Sequence, residues 1–576
     1  MSIANERSAS LLQAQFRALH AAVSRHGSEF PDTPHSQVLT VLMRHGGLYT
    51  LLDRDMMTAR MVPMLSGTPG MTPDSIAAFV NNVGDTVASF FSHLVPTTYY
   101  VLDSGLISHL SYPGPDASGR PRGLTFTEDI PTQPPGLESP TIPAAFTFVG
   151  QFIDHDLTMN AIDLFEPQTG SVQNTASPYI DLDSVYGPRA ILSNVPPHGS
   201  IFNSDGTFRL EKKVGGSTGH FYDLVRVPLT NKAYISDARN DENQMILQVH
   251  LLVMKIHNKL ITTVFKDIED PHQRFMAAHC ETLFNWQSMI LDDFLPHTLL
   301  PEVLDELRIQ IAKENFGDLK YKPCLDLASN TYIASLPHEF AIGFRYGHSQ
   351  LKPRYQLRSD QTKPIPLFDN SLVANGHGNF ADLRGSQSLI ADHLIDWSFF
   401  AGGKFLGNLI DGKVTSVVFD LPESAIPDDI KFIGNLVQRT LIRSSQLGLC
   451  SGEELACFYG IQVLDPEQID PDPNARHLYV AKDSNGNVKM EDGHDKFETP
   501  LWYYLLKEAE LEGKVKGSLG KLGSRLVGEV ILGAIAWAEH SALKNGHKDP
   551  HWKSKIPLAI PGKVTLIDLA NFVVDY

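Results

Sequence analysis

In GQFIDHD, residues 150–156, one imidazole stands between two carboxylates inside an otherwise apolar segment, AAFTFVGQFIDHDL. On a helix, Gln151 and His155 are four apart and share a face. Asp154 and Asp156 fall about 200° apart around the axis, on opposite flanks of the histidine. That geometry suits two carboxylates with separate tasks better than a pair sharing one proton. A neutral imidazole placed there can take up and return a proton. Charged helix edges are mostly solvated, so the stretch alone reads either as an exposed edge or as a site.

Three further stretches carry residues of the same kind. In SDARNDENQMILQVH (236–250), Arg239 and Glu242 are three apart at the start of an amphipathic helix. They can face one pocket, or the start can be exposed with a cap at Asp237 or Asp241. In PHEFAIGFRYGHSQL (337–351), His348 closes an apolar helical run that begins near Pro337, as a ligand or as packed core. In SPYIDLDSVYG (177–187), Asp181 and Asp183 lie two apart in a polar turn, with Ser177 before them. Alternating oxygen donors in a loop suit calcium; an ordinary turn is the alternative. His250 and His257, seven apart on one helix face, read as metal ligands or as packed side chains.

Helices have to position these residues. MILQVHLLVMKIHNKLITTVF (245–265), QRFMAAHCETLFNWQSMILDDFL (273–295) and PDSIAAFVNNVGDTVASFFSHL (73–94) have apolar positions three and four apart. Two-residue alternation is scarce, although SDGTFRLEKKVGGSTGHF (204–221) can hold a short hairpin. Runs rich in proline and glycine at 111–123, 131–143 and 464–476 read as surface loops. GKVKGSLGKLGS (513–524) fits no phosphate-binding glycine spacing and reads as a loop before a helix. The expectation is a mainly α protein: an N-terminal helical segment, 1–140, packed on one large body, 141–576, with little β-structure.

The chain has 576 residues, 42% hydrophobic and 20% charged, with a formal net charge of -18. That acidity argues against nucleic acid and anionic membranes as partners. The four cysteines form no CxxC pair or zinc spacing and suggest no disulfide framework. The N-terminus lacks a basic head and a continuous apolar run, and VILGAIAWA (530–538) is about half of what a bilayer needs. A soluble protein without a membrane span is expected, cytoplasmic or exported without a cleavable leader.

Together the motifs resemble the animal-type haem peroxidase superfamily (the peroxidase-cyclooxygenase superfamily), in its bacterial branch. GQFIDHD fits the distal GQxxDHD motif, and Phe344–Ser349, FRYGHS, fits the proximal FRxGHS motif. DARNDE fits the segment of the catalytic arginine, and SPYIDLDSVYG the calcium loop. NLVQR (435–439) with LGLCSGEELA (447–456), and TPLWYYLLKEAE (499–510), are similar to later family segments. The matches run in family order from Gly150 to Glu510, and nothing before Pro140 is covered.

The resemblance implies a large single-domain helical haem peroxidase fold holding haem b between two histidines. His348 would be the axial iron ligand, with Asn435 accepting from its other ring nitrogen. His155 would exchange protons with hydrogen peroxide, Arg239 would stabilise the departing hydroxide, and Gln151 would bond distal water or an incoming halide. Asp154 and Glu242 are placed to ester-link the haem edge, and Arg345 joins the haem-binding residues. Asp156, Ser177, Asp181, Asp183 and the carbonyl of Tyr179 would ligate calcium. The implied reaction reduces hydrogen peroxide and oxidises iodide, bromide, thiocyanate or phenols.

Some positions depart from the family pattern. Asn243 stands where the halide-oxidising leukocyte members have the methionine of a sulfonium link, so weaker chloride oxidation is expected. Ser177 and Asp183 replace a common threonine and serine, and both still offer oxygen. The nearest alternative is a haem-dependent fatty-acid oxygenase of the same superfamily. Those enzymes carry a radical tyrosine three residues before the proximal histidine, where this chain has Arg345; Tyr346 is two before. A calcium-binding structural protein and a hydrolase with a metal on His155, Asp154 and Asp156 are the readings without haem.

Overall fold

A computed structural model describes residues 91–92, 94–95, 104–111, 125–127, 138–158, 176–187, 201–216, 219–227, 231–311, 319–321, 324–326, 331–333, 336–372, 380–422, 434–482, 487–491, 493–513, 515–538, 540–544 and 547–576. Most of the expected N-terminal segment 1–140, with nearly all of the helix at 73–94, lies outside them.

Helices dominate the described chain: α1 (Ser104–Ser111), α2 (Ala145–Leu157), α3 (Asp183–Tyr186), α4 (Gln244–Lys259), α5 (Pro271–Met289), α6 (Pro301–Ile311), α7 (His338–Gly343), α8 (Leu436–Gln446), α9 (Gly452–Tyr459), α10 (Leu501–Glu508), α11 (Lys521–Ala536) and α12 (Leu566–Phe572). Among the described residues, strands occur only as two-stranded pairs. The expected hairpin is Leu210–Val214 against His220–Leu224, antiparallel, with Leu210 opposite Leu224. The 131–143 run departs from the loop expectation, because Glu138–Pro143 pairs with Leu406–Asn408. Its prolines are tolerated because the strand has a neighbour on one side only.

The central helices form where apolar spacing and caps agree. In α2, Phe148, Val149, Phe152, Ile153 and Leu157 are all buried. Each such side chain contributes about 1.5–3 kcal/mol relative to exposure. Phe152 meets Trp286 of α5 edge-on at 5.1 Å. Helix α4 starts at Asn243, whose Oδ1 accepts from the backbone N–H of Met245 and Ile246, which satisfies two otherwise orphaned donors. Both α4 and α5 end in a π turn, at Leu260–Val264 and Ile290–Phe294.

The proximal segment is held by close approach. Helix α7 ends at Gly343 and continues as a 3-10 turn, Phe344–Gln350, that carries His348. A Cβ on Gly343 would stand 2.8 Å from Leu526 of α11 and 3.0 Å from Leu505 of α10. A larger residue would have to displace both leucine side chains where the three helices meet. The indole N–H of Trp502 in α10 donates to the Arg345 carbonyl at 3.0 Å, which fixes this turn from the side.

Candidate active site

Helix α2 and the 3-10 turns Ala238–Asp241 and Phe344–Gln350 face one another across a cavity of about 240 Å³. His155, Gln151 and Asp154 line it from α2; Arg239, Glu242 and Asn243 line it from the start of α4. Arg345, Tyr346 and His348 line the opposite wall, with Arg439 from α8. Four separate motifs of the sequence therefore meet in one space.

His155 is 6% exposed. Its Nδ1 lies 2.9 Å from Oδ1 of Asn240, and Nδ2 of Asn240 lies 3.1 Å from Nδ1 of His250. An amide oxygen accepts, so Nδ1 of His155 donates and Nε2 keeps a lone pair. Burial and then the Arg239 charge pull His155 down to about 3, so the ring is neutral across the ordinary pH range.

Arg239 is stapled rather than loose. Its backbone N–H and Nε donate to Asp237, and Nη2 donates to Asp237 at 2.6 Å. Nη2 also reaches the carbonyls of His155, at 2.9 Å, and Thr158, at 2.5 Å. These are the last carbonyls of α2, where a cation is favoured. None of these bonds uses Nη1. Burial opposes the Arg239 charge, but Asp237 outweighs it and holds the guanidinium above its ordinary value.

The two remaining carboxylates are strained electrostatically. Burial raises Asp154, against the pull of Arg345 and Arg239, and its Oδ1 has no hydrogen-bond partner. Burial raises Glu242 to about 7. Gln151 spends both ends of its amide: Nε2 donates to Glu242 at 3.2 Å and Oε1 accepts from Asn243 at 3.1 Å. The amide expected to meet water or halide is thus tied to the start of α4.

His348 makes no hydrogen bond; its Nδ1 is buried and unpartnered. Burial, with Arg345 and Arg439, pulls it down to about 3. The expected bond to Asn435 is absent, which corrects that assignment. Asn435 is instead the N-cap of α8: its Oδ1 accepts from Gln438 N at 3.0 Å, and its Nδ2 donates to the Ser111 carbonyl at 2.7 Å. The cap satisfies a helix end and ties α1 to α8, so both ends of the amide are used elsewhere.

The loop at 176–187 lies against Asp156, as expected, but with different bonding. Asp156 Oδ2 accepts from Leu182 N at 2.9 Å and Oδ1 from Ser184 N at 3.2 Å. Burial raises Asp156 to about 7, and neighbouring Asp183 adds to it. Asp181 is raised well above its ordinary value by burial, then by Asp183 and Asp156. The buried Ser177 hydroxyl faces Asp181 without reaching hydrogen-bond geometry. Among the described residues no three His, Cys, Asp or Glu side chains converge as metal ligands. His257 uses both ring nitrogens within the protein, on Tyr186 and Gly206, which removes it as a free metal ligand.

Asn240, Asp237, Arg439 and Tyr346 escaped the sequence reading as site residues. Of the two candidate caps, Asp237 caps the 3-10 turn Ala238–Asp241, while α4 itself is capped by Asn243; Asp241 instead takes a bidentate pair from Arg226 at 2.7 and 2.9 Å. Asn240 carries no local signal beyond its place beside Arg239.

With this geometry in hand, likeness to known proteins is informative. Residues 166–384 match the family model described as animal haem peroxidase. The matched span contains Arg239 and His348 and begins after His155. In fold the chain resembles peroxidase A from Dictyostelium discoideum, with a TM-score of 0.51 and 16% identity over 84% of this chain and 92% of that one. It also resembles a variant of the Oryza sativa fatty acid alpha-dioxygenase with palmitic acid, with a TM-score of 0.50 and 12% identity over 100% of this chain and 95% of that one. No curated protein matches the sequence significantly. The described residues are mainly α, and among them no helix is long and apolar enough to cross a membrane.

Proposed function

We propose that this protein is a haem peroxidase that reduces hydrogen peroxide and oxidises small donors: iodide, bromide, thiocyanate and phenols. The observation that carries the reading is His155 and His348 on opposite walls of one cavity, each neutral, with Arg239 beside the first. The residues fit a haem: Nδ1 of His348 is buried without a partner, and Asp154 Oδ1 is buried and unpaired at the cavity wall. His348 would hold the iron, Arg345 and Arg439 would face the haem carboxylates, and Asp154 and Glu242 would supply ester links. The haem would supply a redox centre that accepts oxidising equivalents from peroxide and passes them to donors.

The chain's own residues do the rest. Nε2 of His155, unprotonated because Nδ1 donates to Asn240, takes the proton of incoming peroxide and returns it to the departing oxygen. Arg239 places fixed positive charge where negative charge develops. Gln151, bonded to Glu242 and Asn243, ties α2 to the start of α4. Asn243 cannot form a sulfonium link, so chloride should be a poorer donor than iodide.

Calcium at Asp156, Ser177, Tyr179, Asp181 and Asp183 belongs to the same proposal. The donor chemistry suits a hard cation: buried carboxylates that repel one another, a hydroxyl and a carbonyl. Such an ion would neutralise the cluster and hold the end of α2.

A second reading, a haem-dependent fatty-acid oxygenase, has one observation in its favour: Tyr346 lines the cavity with His348. An absorption spectrum of the pure protein with and without peroxide, followed by guaiacol and iodide turnover, tests the first reading. Oxygen uptake with linoleate in place of donor turnover would select the second. A colourless protein would remove both. If the ester links form, acid–acetone leaves the haem on the protein.

A further inference from the structure

Tyr186 closes α3 and is 1% exposed. Its phenol oxygen lies 3.0 Å from Nδ1 of His257, in α4. The other ring nitrogen of His257, Nε2, lies 3.1 Å from the Gly206 carbonyl. A carbonyl can only accept, so Nε2 carries the proton. Burial pulls His257 down to about 4, so the ring is neutral and Nδ1 is a lone pair. The Tyr186 hydroxyl therefore donates to it, and the direction of this bond is fixed from the far side of the ring.

The surroundings are apolar and closed. The ring of Tyr186 meets Phe208, Phe275 and His279 at centroid distances of 5.1, 6.3 and 4.4 Å. Both nitrogens of His279 are buried without a partner. Neither Tyr186 nor His257 lines the His155 cavity, so neither touches a substrate there. Helix α4 links them to it. His250 sits seven residues before His257 on α4, ~10 Å along the axis, and Asn240 joins His250 to His155.

We propose that Tyr186 is a redox-active tyrosine, giving one electron to the peroxide-oxidised haem centre while its phenolic proton passes to Nδ1 of His257. The O–H bond breaks and an Nδ1–H bond forms. A neutral phenoxyl radical remains, beside an imidazolium that keeps its Nε2–H bond to Gly206. The haem centre gains the electron and is reduced by one equivalent. One electron from an external donor, with the proton returned from His257, restores the phenol. Moving the proton with the electron replaces a strongly acidic phenol radical cation by an imidazolium whose charge is shared with the Gly206 carbonyl. The pair would store one oxidising equivalent away from solvent when donors are scarce. The aromatic enclosure keeps the radical from abstracting hydrogen from a substrate, which separates this role from that of an oxygenase tyrosine.

This inference rests on the peroxidase reading, and the test separates the two. The full-length haem-loaded protein is mixed with one equivalent of hydrogen peroxide without donor and frozen for electron paramagnetic resonance. A tyrosyl signal is expected, narrowed when ring-deuterated tyrosine is incorporated. The signal should be lost in Tyr186→Phe and diminished in His257→Gln, with iodide turnover retained in Tyr186→Phe. If Tyr186→Phe fails to fold, the hyperfine pattern of the wild-type radical, compared with that of Tyr346→Phe, still reports which ring carries the spin. A haem that reacts normally with peroxide but yields no tyrosyl signal, or a signal unchanged in Tyr186→Phe, overturns this proposal alone. A haem that does not react with peroxide overturns the peroxidase reading and this one with it.

Discussion

Nδ1 of His155 lies 2.9 Å from Oδ1 of Asn240, a residue with no exposed surface that stays outside the cavity wall. This one bond decides which nitrogen of His155 keeps a lone pair. Asn240→Ala frees the ring to rotate and to exchange tautomers. The rate of the peroxide reaction should fall about 10- to 100-fold, with haem content unchanged. Stopped-flow absorbance measures it, and an unaltered rate would remove Asn240 from this role.

Arg239 has two duties, and a substitution should separate them. Arg239→Gln removes the charge near the cavity and the staple on the His155 and Thr158 carbonyls. Peroxide reactivity should drop by about 100- to 1,000-fold. Stability should fall by about 1–3 kcal/mol, because Asp237 is left buried without its partner. Arg239→Lys keeps the charge but not the fork, and should recover part of the rate and little of the stability. Equal recovery of both in urea denaturation and kinetics would contradict the division.

Gly385 passes so close to the Arg239 turn that an added Cβ would stand 1.6 Å from the Asp241 carbonyl oxygen. Its N–H donates to the Glu242 carbonyl at 3.0 Å, so this backbone braces the turn directly. Gly385→Ala must push the two segments apart. A loss of about 1–3 kcal/mol is expected, together with slower peroxide reaction. Thermal unfolding and stopped-flow traces check the two effects in one preparation.

The pH dependence of stability should carry a signature of Glu508. Burial raises this carboxyl to about 7, while Leu522 N and Gly523 N donate to it at 2.7 and 3.0 Å. The folded pKa exceeds the unfolded one, near 4.5. Its protonated form is therefore favoured by folding, and the stability is fully present below pH 4.5 and lost as pH rises through about 7. Each pH unit in that window costs about 1.4 kcal/mol at most. Glu508→Gln loses one acceptor but also the slope. The difference in melting temperature, variant minus wild type, should rise between pH 5 and 8; a flat difference would refute the assignment.

Local patterns were legible where local physics decides. The apolar spacing of 245–265 became α4 with its π turn, because a three-and-four repeat needs a helix to bury it. The run from Pro337 to His348 became α7 and its 3-10 turn for the same reason. Asn435 was misread because a resemblance outweighed a cap signal: an asparagine directly before the apolar run of α8 is a helix start. The links among His155, Asn240 and His250, and between Tyr186 and His257, were not legible. They join residues 85 and 71 positions apart, and no spacing rule reaches across two helices. The loop at 176–187 was legible as donor chemistry only, since Asp156 turns both oxygens to backbone amides.

Helix α4 carries His250 near its middle and His257 near its end, and the hydrogen bonds at the two places face different neighbours. The helix thus acts as a ruler. Its pitch sets how far the proton-handling end stands from the phenol, and its phase sets where each imidazole points. One residue inserted between them would turn His257 by about 100° and leave the His155 end in register. Length and phase along a single rod thus fix two imidazole hydrogen bonds that share no side chain.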